Sequence, residues 1–495
     1  MSKVDNMIDT RIAPPAGRIE YKWIALSVTT IGALMAAIDS TIVILALPDM
    51  MVKLHADLIE MVWVIMAYIL ISTIFLLTFG RIADILGRVK MYNVGFIVFT
   101  VGSALCGISQ TALQLILYRL VQGAGAAMML VNAPAIITEV FPPNQRGRAL
   151  GINGITWAIG GIAGPLLGGL ILKAADWRWI FFINVPIGIL GTFWSYRALH
   201  EVSNRDRAER FDPVGAATFC LGLIALLISL TQGIEHRWLS APILATFGFF
   251  LLMLVVFLLW ERRVPNPVLD LTLFQNRVYN YSVLAAMLQA LAIFAVNFLI
   301  VFYMQGVRGY DPLTAALLLI PLPVVSAIVG PISGLVADHI GARVPATIGL
   351  LLQALALVWF KAVLSPTTSY AAIAGGLALM GLGGGMFWSP NTSAAMNSAP
   401  PNRLGVASGT LATLRQVGMV TSFALSLAVA AGSLPHQVMM QLFVGTNVTL
   451  GSDTMQGFVV GIQSAFTLSA VLCLVAAGFS VVRGKEDRQG IAARK

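Results

Sequence analysis

Polar residues along this chain are confined to short interruptions between long apolar runs, and the runs are about 20 residues long, the length that carries a helix across a bilayer. Fourteen such runs can be drawn: 23–47, 61–79, 91–108, 113–140, 150–172, 179–199, 213–231, 241–260, 280–305, 313–337, 344–363, 370–397, 404–430 and 458–482. The pattern predicts an all-α polytopic membrane protein. The polar interruptions are not independent of one another. Gly80-Arg-Ile-Ala-Asp84-Ile-Leu-Gly87-Arg88-Val-Lys90 returns in weaker form 254 residues later as Gly334-Leu-Val-Ala-Asp338-His-Ile-Gly341-Ala-Arg343. Pro142-Pro143-Asn144, with Gly147, Ala149 and Gly151, returns 258 residues later as Pro400-Pro401-Asn402, with Gly405, Ala407 and Gly409. Two echoes at nearly one offset mean a duplicated chain, and parallel repeats of membrane helices are the sequence sign of a secondary transporter. Runs 1–6 then match runs 9–14, and runs 7 and 8 stand between them. The expected division is 1–199 for the first six-helix half, 200–279 for a two-helix insertion with its flanking loops, and 280–495 for the second half.

Composition and charge sharpen this picture. Hydrophobic residues make up 58% of the chain and charged residues 11%, with a mean hydropathy of +0.85, too few polar groups to cover a water-soluble globule. The net charge of +9 is not a nucleic-acid signal, because the basic residues sit in the interruptions. With both termini in the cytoplasm, and Arg197 and Lys361 at span ends counted with the segments they border, 23 of the 31 Lys and Arg fall in cytoplasmic segments, six in external ones and two inside spans, as the positive-inside bias requires. Residues 1–21 are polar and basic and lack a cleavage pattern, so the first span is expected to stay uncleaved. External residues 431–457 carry no Lys or Arg and are expected to form a short hairpin. Cys106, Cys220 and Cys473 lie singly in apolar runs, and the five His are scattered, so neither a metal site nor an enzyme's catalytic cluster is expected. Gly484-Lys485 lacks the spacing of a phosphate-binding loop.

Asp39 is the one carboxylate deep in an apolar run, where a charge costs about 2.5–3.5 kcal/mol on insertion scales. It lies nine residues before Pro48, or about 13 Å below the external end; Arg119, seven residues past Ala112 on the antiparallel fourth span, lies about 10 Å below the same surface. The two charges are expected at one depth. Desolvation favours the protonated carboxyl and a nearby guanidinium the ionised one, so a change in their separation would load or release a proton. A permanent structural ion pair is the alternative. Arg119 has no mate in the repeat, where Leu377 stands 258 residues on. In the two cytoplasmic loops, Gly80, Gly87 and Gly341 suit tight turns, Asp84 is placed to accept from helix-terminal amides or to pair with Arg88, and Asp338 and Arg343 are the weaker counterparts. The basic residues alone would also serve topology. On the fifth span, Gly160, Gly164 and Gly168 recur every four residues beside Pro165 and Gly169, a small-residue face that suits either a sliding contact between halves or ordinary close packing. Candidates for a substrate cavity are Trp63, Asn132, Trp157, Gln289, Phe294, Asn297, Trp388 and Asn391, aromatic surface with scattered amides, although individual aromatics equally serve packing. Arg415, mid-span beside Gln416, would contact substrate or pair with a backbone terminus or a carboxylate.

Five segments in order resemble the fourteen-helix drug:proton antiporter family of the major facilitator superfamily. They are Ile38-Asp39-Ser40-Thr41-Ile42-Val43-Ile44-Leu45-Ala46-Leu47-Pro48, with isoleucine at 44 where asparagine is usual; the Gly80–Lys90 loop; Leu115 to Ala127 around Arg119 and Gln122-Gly123; Gly160 to Gly169; and Trp177-Arg178-Trp179 through Asn184, Pro186 and Gly188. The resemblance implies a 6+2+6 helix architecture in the inner membrane of a prokaryote. It implies protons as the coupling ion with no other cofactor, a small lipophilic substrate such as a drug, dye or biocide, a monomer, Asp39 and Arg119 in coupling, the two loops in gating and the fifth-span glycines as an antiporter signature. Export of an endogenous lipid, siderophore or metabolite on the same scaffold, or ligand sensing without flux, are the other readings.

Overall fold

The computed structural model describes residues 20–202, 211–232, 239–265, 267–310, 312–431 and 452–484, and among these there is no strand. The helices are α1 (Tyr21–Lys53), α2 (Leu58–Leu86), α3 (Arg88–Gly107), α4 (Ala112–Val140), α5 (Arg146–Ala174), α6 (Trp179–Phe182), α7 (Asn184–Ala198), α8 (Pro213–Gln232), α9 (Ala241–Glu261), α10 (Arg277–Phe302), α11 (Pro312–Leu318), α12 (Pro321–Ile340), α13 (Arg343–Val363), α14 (Tyr370–Asn397), α15 (Leu404–Ala431) and α16 (Ser452–Val482). Thirteen spans among the described residues are long and apolar enough to cross a membrane. The 28-residue α15, whose first half carries Ser408, Thr410, Thr413, Arg415 and Gln416, is the fourteenth long helix. The expected fourteen-helix architecture is therefore the one observed, while most of the expected 431–457 hairpin lies outside the described residues.

Helix ends overrun the apolar runs because a helix satisfies its own backbone in the headgroup zone as well as in the core. Thus α2 runs past the predicted end at 79 and carries Arg81 and Asp84 on its last turns. Two spans are broken instead. The sixth is interrupted at Ile183, between α6 and α7, where Pro186 removes the N–H that would bond to Phe182. The tenth restarts at Pro321, with Pro323 on the same first turn, after the short α11. The hairpins α2–α3 and α12–α13, at one end of the bundle, turn through single glycines, Gly87 at φ 109° and Gly341 at φ 97°, a region that side chains rarely tolerate.

Within the first six spans α4 packs on α2 and α3, and α5 on α1; their repeat mates do the same, with α14 on α12 and α13, and α15 on α10. The two halves meet chiefly along α5 with α12 and α2 with α15, which are equivalent pairs under the repeat. Helices α8 and α9 pack on each other and rest on α2 and α15. The most apolar span, α9, is also the least buried, with Leu244, Phe247, Leu252 and Leu259 outward, an inversion that only lipid as solvent explains.

Candidate functional site

The helix register brings Asp39 of α1 and Arg119 of α4 together, with Arg119 Nη1 2.6 Å from Asp39 Oδ2. Both are enclosed, at 0% and 1% exposure. Two residues absent from the expected site complete it. Gln122 Nε2 donates to Asp39 Oδ1 at 2.8 Å, and Asn184 Nδ2 donates to the same oxygen at 3.1 Å. All three partners are N–H donors, the set a carboxylate accepts. Arg119 is itself held: Nε donates to Val64 O, Nη1 also to Gln122 Oε1, and the guanidinium lies 4.2 Å from the Tyr68 ring centroid. Gln122 Nε2 further donates to Ser103 Oγ. The network explains how charges persist where no water solvates them, since each polar partner is itself satisfied. Gln122 was visible as the residue one turn after Arg119, and Asn184 as a lone amide in the run Trp179-Ile-Phe-Phe-Ile-Asn184. The break between α6 and α7 sets Asn184 at the first position of α7.

The glycines of α5 divide into two faces. Gly147 and Gly151 face the other half: a Cβ at Gly147 would lie 2.6 Å from Gly334 O, and one at Gly151 2.8 Å from Gly330 O. Thirteen residues along a helix turn it by roughly 220°, so Gly160 and Gly164 point to the opposite side. They meet α1: a Cβ at Gly160 would lie 2.5 Å from Ala37 Cβ and one at Gly164 1.9 Å from Thr41 Oγ1, while Thr41 Oγ1 donates to Gly160 O at 2.9 Å. The expected contact between halves therefore belongs to Gly147 and Gly151, and Gly160 and Gly164 instead grip the turn that carries Asp39. Gly168 is buried, a Cβ at Gly169 would meet open space, and the side chain of Pro165 lies outside the described residues.

At the hairpin end of the bundle each loop aspartate reaches the start of the opposite half's helix. Asp84 accepts from Gly405 N at 2.8 Å and Val406 N at 2.9 Å, on the first turn of α15. Asp338 accepts from Gly147 N at 2.9 Å and Arg148 N at 3.0 Å, on the first turn of α5. Both carboxylates meet the positive end of a helix dipole. Gly80 is the close-approach point beside the first contact, where a Cβ would lie 2.4 Å from Gly405 O. Arg88 pairs with Asp84 at 2.8 Å and Glu139 at 3.0 Å and donates to Pro401 O, whereas Arg343 starts α13.

The cavity candidates disperse. Trp388 and Arg415 come together, with the guanidinium 4.0 Å from the indole centroid, and Gly154 of α5 faces Trp388. Trp157 is 38% exposed, and Trp63 and Phe294 are half-buried. Asn132 is enclosed, with Nδ2 on Met128 O and Oδ1 without a partner. Gln289 bonds to Gln353 inside the second half, and Asn391 bonds Ser282 O and Arg483, both turned into packing. The side chain of Asn297 lies outside the described residues. A cavity of about 730 Å³ opens at the cytoplasmic edge of α9, lined by Glu261, Arg262, Asp270 and Arg403 among others, and none of the candidates lines it. On the external rim Asp176 sits below the usual carboxylate range: burial pushes it up, but the Arg178 N–H and the Lys53 ammonium outweigh that.

A family model described as Major Facilitator Superfamily matches residues 29–423. Multidrug resistance protein Stp of Mycobacterium tuberculosis (strain CDC 1551 / Oshkosh) is 33% identical over 412 residues, covering 83% of this chain and 76% of its own. Riboflavin transporter RibZ of Clostridioides difficile (strain 630) is 29% identical over 457 residues, covering 92% and 96%. Among solved structures, the human organic anion transporter MFSD10 superposes with a TM-score of 0.67 at 15% identity over 94% of this chain and all of that one, a likeness of fold.

Proposed function

The chain belongs to the major facilitator superfamily, and from that premise we propose that it is a proton-coupled exporter of lipophilic or amphipathic compounds, working by alternating access. The observation that carries the reading is the Asp39–Arg119 pair, a titratable carboxylate held in the apolar interior by three donors from two other spans. An ion pair kept only for stability is poorly motivated there, because breaking even with an apolar replacement is the usual outcome for a buried pair. In this cycle Asp39 takes a proton from the outside, its hold on Arg119, Gln122 and Asn184 weakens, and the turn of α1 moves. That turn is gripped by Gly160 and Gly164, while the same α5 touches the second half through Gly147 and Gly151. Helix α5 thus offers a rigid link from protonation to the contact between halves.

The moving bodies in this proposal are residues 1–199 and 280–495, with 200–279 as an appended pair, in the inner membrane of a prokaryote with both termini cytoplasmic. The protein acts as a monomer, and protons are its only coupling ion. Similarity to multidrug resistance proteins supports the substrate class. The driving force is sufficient: each proton supplies about 1.4 kcal/mol per pH unit and about 2.3 kcal/mol per 100 mV.

The test is dye efflux from proteoliposomes under an imposed proton gradient. Wild type should drive dye against its gradient, and Asp39→Asn, correctly inserted, should lose that drive. An Asp39→Asn protein that still concentrates dye would sink the reading. A metabolite carrier is the second reading, supported by the likeness to the riboflavin transporter over 92% of the chain; it expects riboflavin movement and no movement of dyes.

A further inference from the structure

Arg415 differs from the other cations of the bundle. Arg119 has its carboxylate, and Arg483 donates to Ser282 and Asn391. Arg415 makes no ion pair and no hydrogen bond among the described residues, and its Nε is enclosed without an acceptor. Its guanidinium lies over the face of Trp388. Eleven residues past the start of α15 put it about 17 Å from the cytoplasmic end, and Trp388, nine residues before the end of α14, lies about 14 Å from that surface. The pair therefore sits near mid-membrane, where an uncompensated guanidinium is costly. It also sits where the halves meet, since a Cβ on Gly154 of α5 would be 3.4 Å from Trp388 Cδ1. An enclosed guanidinium N–H without an acceptor, at a place where α14 and α15 meet α5, calls for an acceptor from outside the chain.

Resting on the exporter reading, we propose that the substrates are aromatic organic acids, bound through Arg415 in their ionised form. A carboxylate or sulfonate takes the planar fork of the guanidinium, which Trp388 holds flat from one side, and the aromatic body lies along the indole. The charge balance supports an anion over a cation. At mid-membrane depth, where Asp39 and Arg119 neutralise each other, Arg415 leaves one positive charge in excess among the described residues, which repels a lipophilic cation and is discharged by an anion. Asp39 is sealed at 0% exposure, so the anion and the proton do not share a site, and their coupling runs through helix movement.

The test uses purified full-length protein and two probes of one aromatic body and opposite charge, 1-pyrenebutyrate and 1-pyrenebutylammonium, with binding followed by pyrene fluorescence and no gradient imposed. Wild type should bind the butyrate at least tenfold more tightly than the ammonium. Arg415→Gln should lose at least tenfold for the butyrate, or about 1.4 kcal/mol, and bring the probes to parity. Arg415→Lys, which keeps the charge without the fork, should fall between, and it carries the test if Arg415→Gln does not fold. Equal binding of both probes by wild type, no binding of the butyrate, or an Arg415 variant with unchanged preference overturns the proposal. Because no gradient is involved, a protein that binds the acid through Arg415 but moves nothing in proteoliposomes would retain this substrate class and remove the exporter reading alone.

Discussion

The two contacts made by Asp84 and Asp338 descend from one repeated loop, yet they are not equally strong. Asp84 and Asp338 each accept two backbone N–H bonds from the first turn of the opposite half's helix, at nearly the same distances. Around Asp84, however, the carboxylate is 1% exposed and Arg88 grips it through Nε and Nη2, at 3.0 and 2.8 Å, while also reaching Glu139 and Pro401 O. At the equivalent position beside Asp338 stands Ala342, and Asp338 is half-buried. The first contact is a desolvated cluster spanning four helices and a loop; the second is a half-buried carboxylate on a helix end. A symmetric scaffold thus carries a firm hinge on one side and a weaker clasp on the other. We expect the Asp338 contact to part first when the cytoplasmic side opens.

The largest expected break of this asymmetry is Asp84→Ala. It deprives Arg88, which is only 4% exposed, of one of its two carboxylates and orphans two helix N–H groups, at a cost of about 3 kcal/mol. Thermal melting should fall, and a cysteine placed near Gly405 should become open to cytoplasmic thiol reagents. Asp338→Ala should do the same to a cysteine near Gly147 with a smaller drop of about 1–2 kcal/mol, since Asp338 is only half-buried. Equal losses in the two variants would erase the distinction. In the opposite direction, Ala342→Arg supplies the missing clamp. A stabilisation of up to about 1 kcal/mol, with slower turnover in proteoliposomes, would sharpen the comparison, whereas faster turnover would show that the second contact is not what opens. The smallest effect belongs to Lys53→Ala on the external rim, where Lys53 meets Asp49 and Asp176 in solvent within the first half. No measurable change in melting or turnover is expected, and an appreciable one would mean that the rim also governs opening.

How much of this was legible in the sequence depended on whether the information was local. Span lengths are local, and Tyr370–Asn397 begins and ends where the apolar run does. Depth is local too, because rise per residue placed Asp39 and Arg119 at one level before any contact was known. Breaks inside spans were less visible: the run 179–199 reads as continuous, and only Pro186 hints that α7 restarts at Asn184. Partners across hundreds of residues were not visible at all. That Asp84 would meet Gly405 was not written in either segment, and helix rotation alone decided that Gly160 faces Ala37 while Gly147 faces Gly334. Amides were also under-read, since Gln289 and Asn391 are polar residues in apolar spans for the same reason as Gln122, and only packing distinguishes structural bonds from those around a carboxylate.

The enclosure of Asp39 has a kinetic meaning. A carboxylate in open water exchanges its proton as fast as hydronium arrives, so its occupancy follows the bath. Asp39 has no exposed surface and donors on both oxygens, so in the proposed proton-coupled cycle a proton would reach it only in the intervals when α1, α4 and α7 draw apart. Helix displacements of that kind belong to the microsecond-to-millisecond range. The carrier would therefore keep mechanical time: acidifying the bath raises the chance that an opening is used, while the frequency of openings sets the ceiling on how many cycles a second it completes.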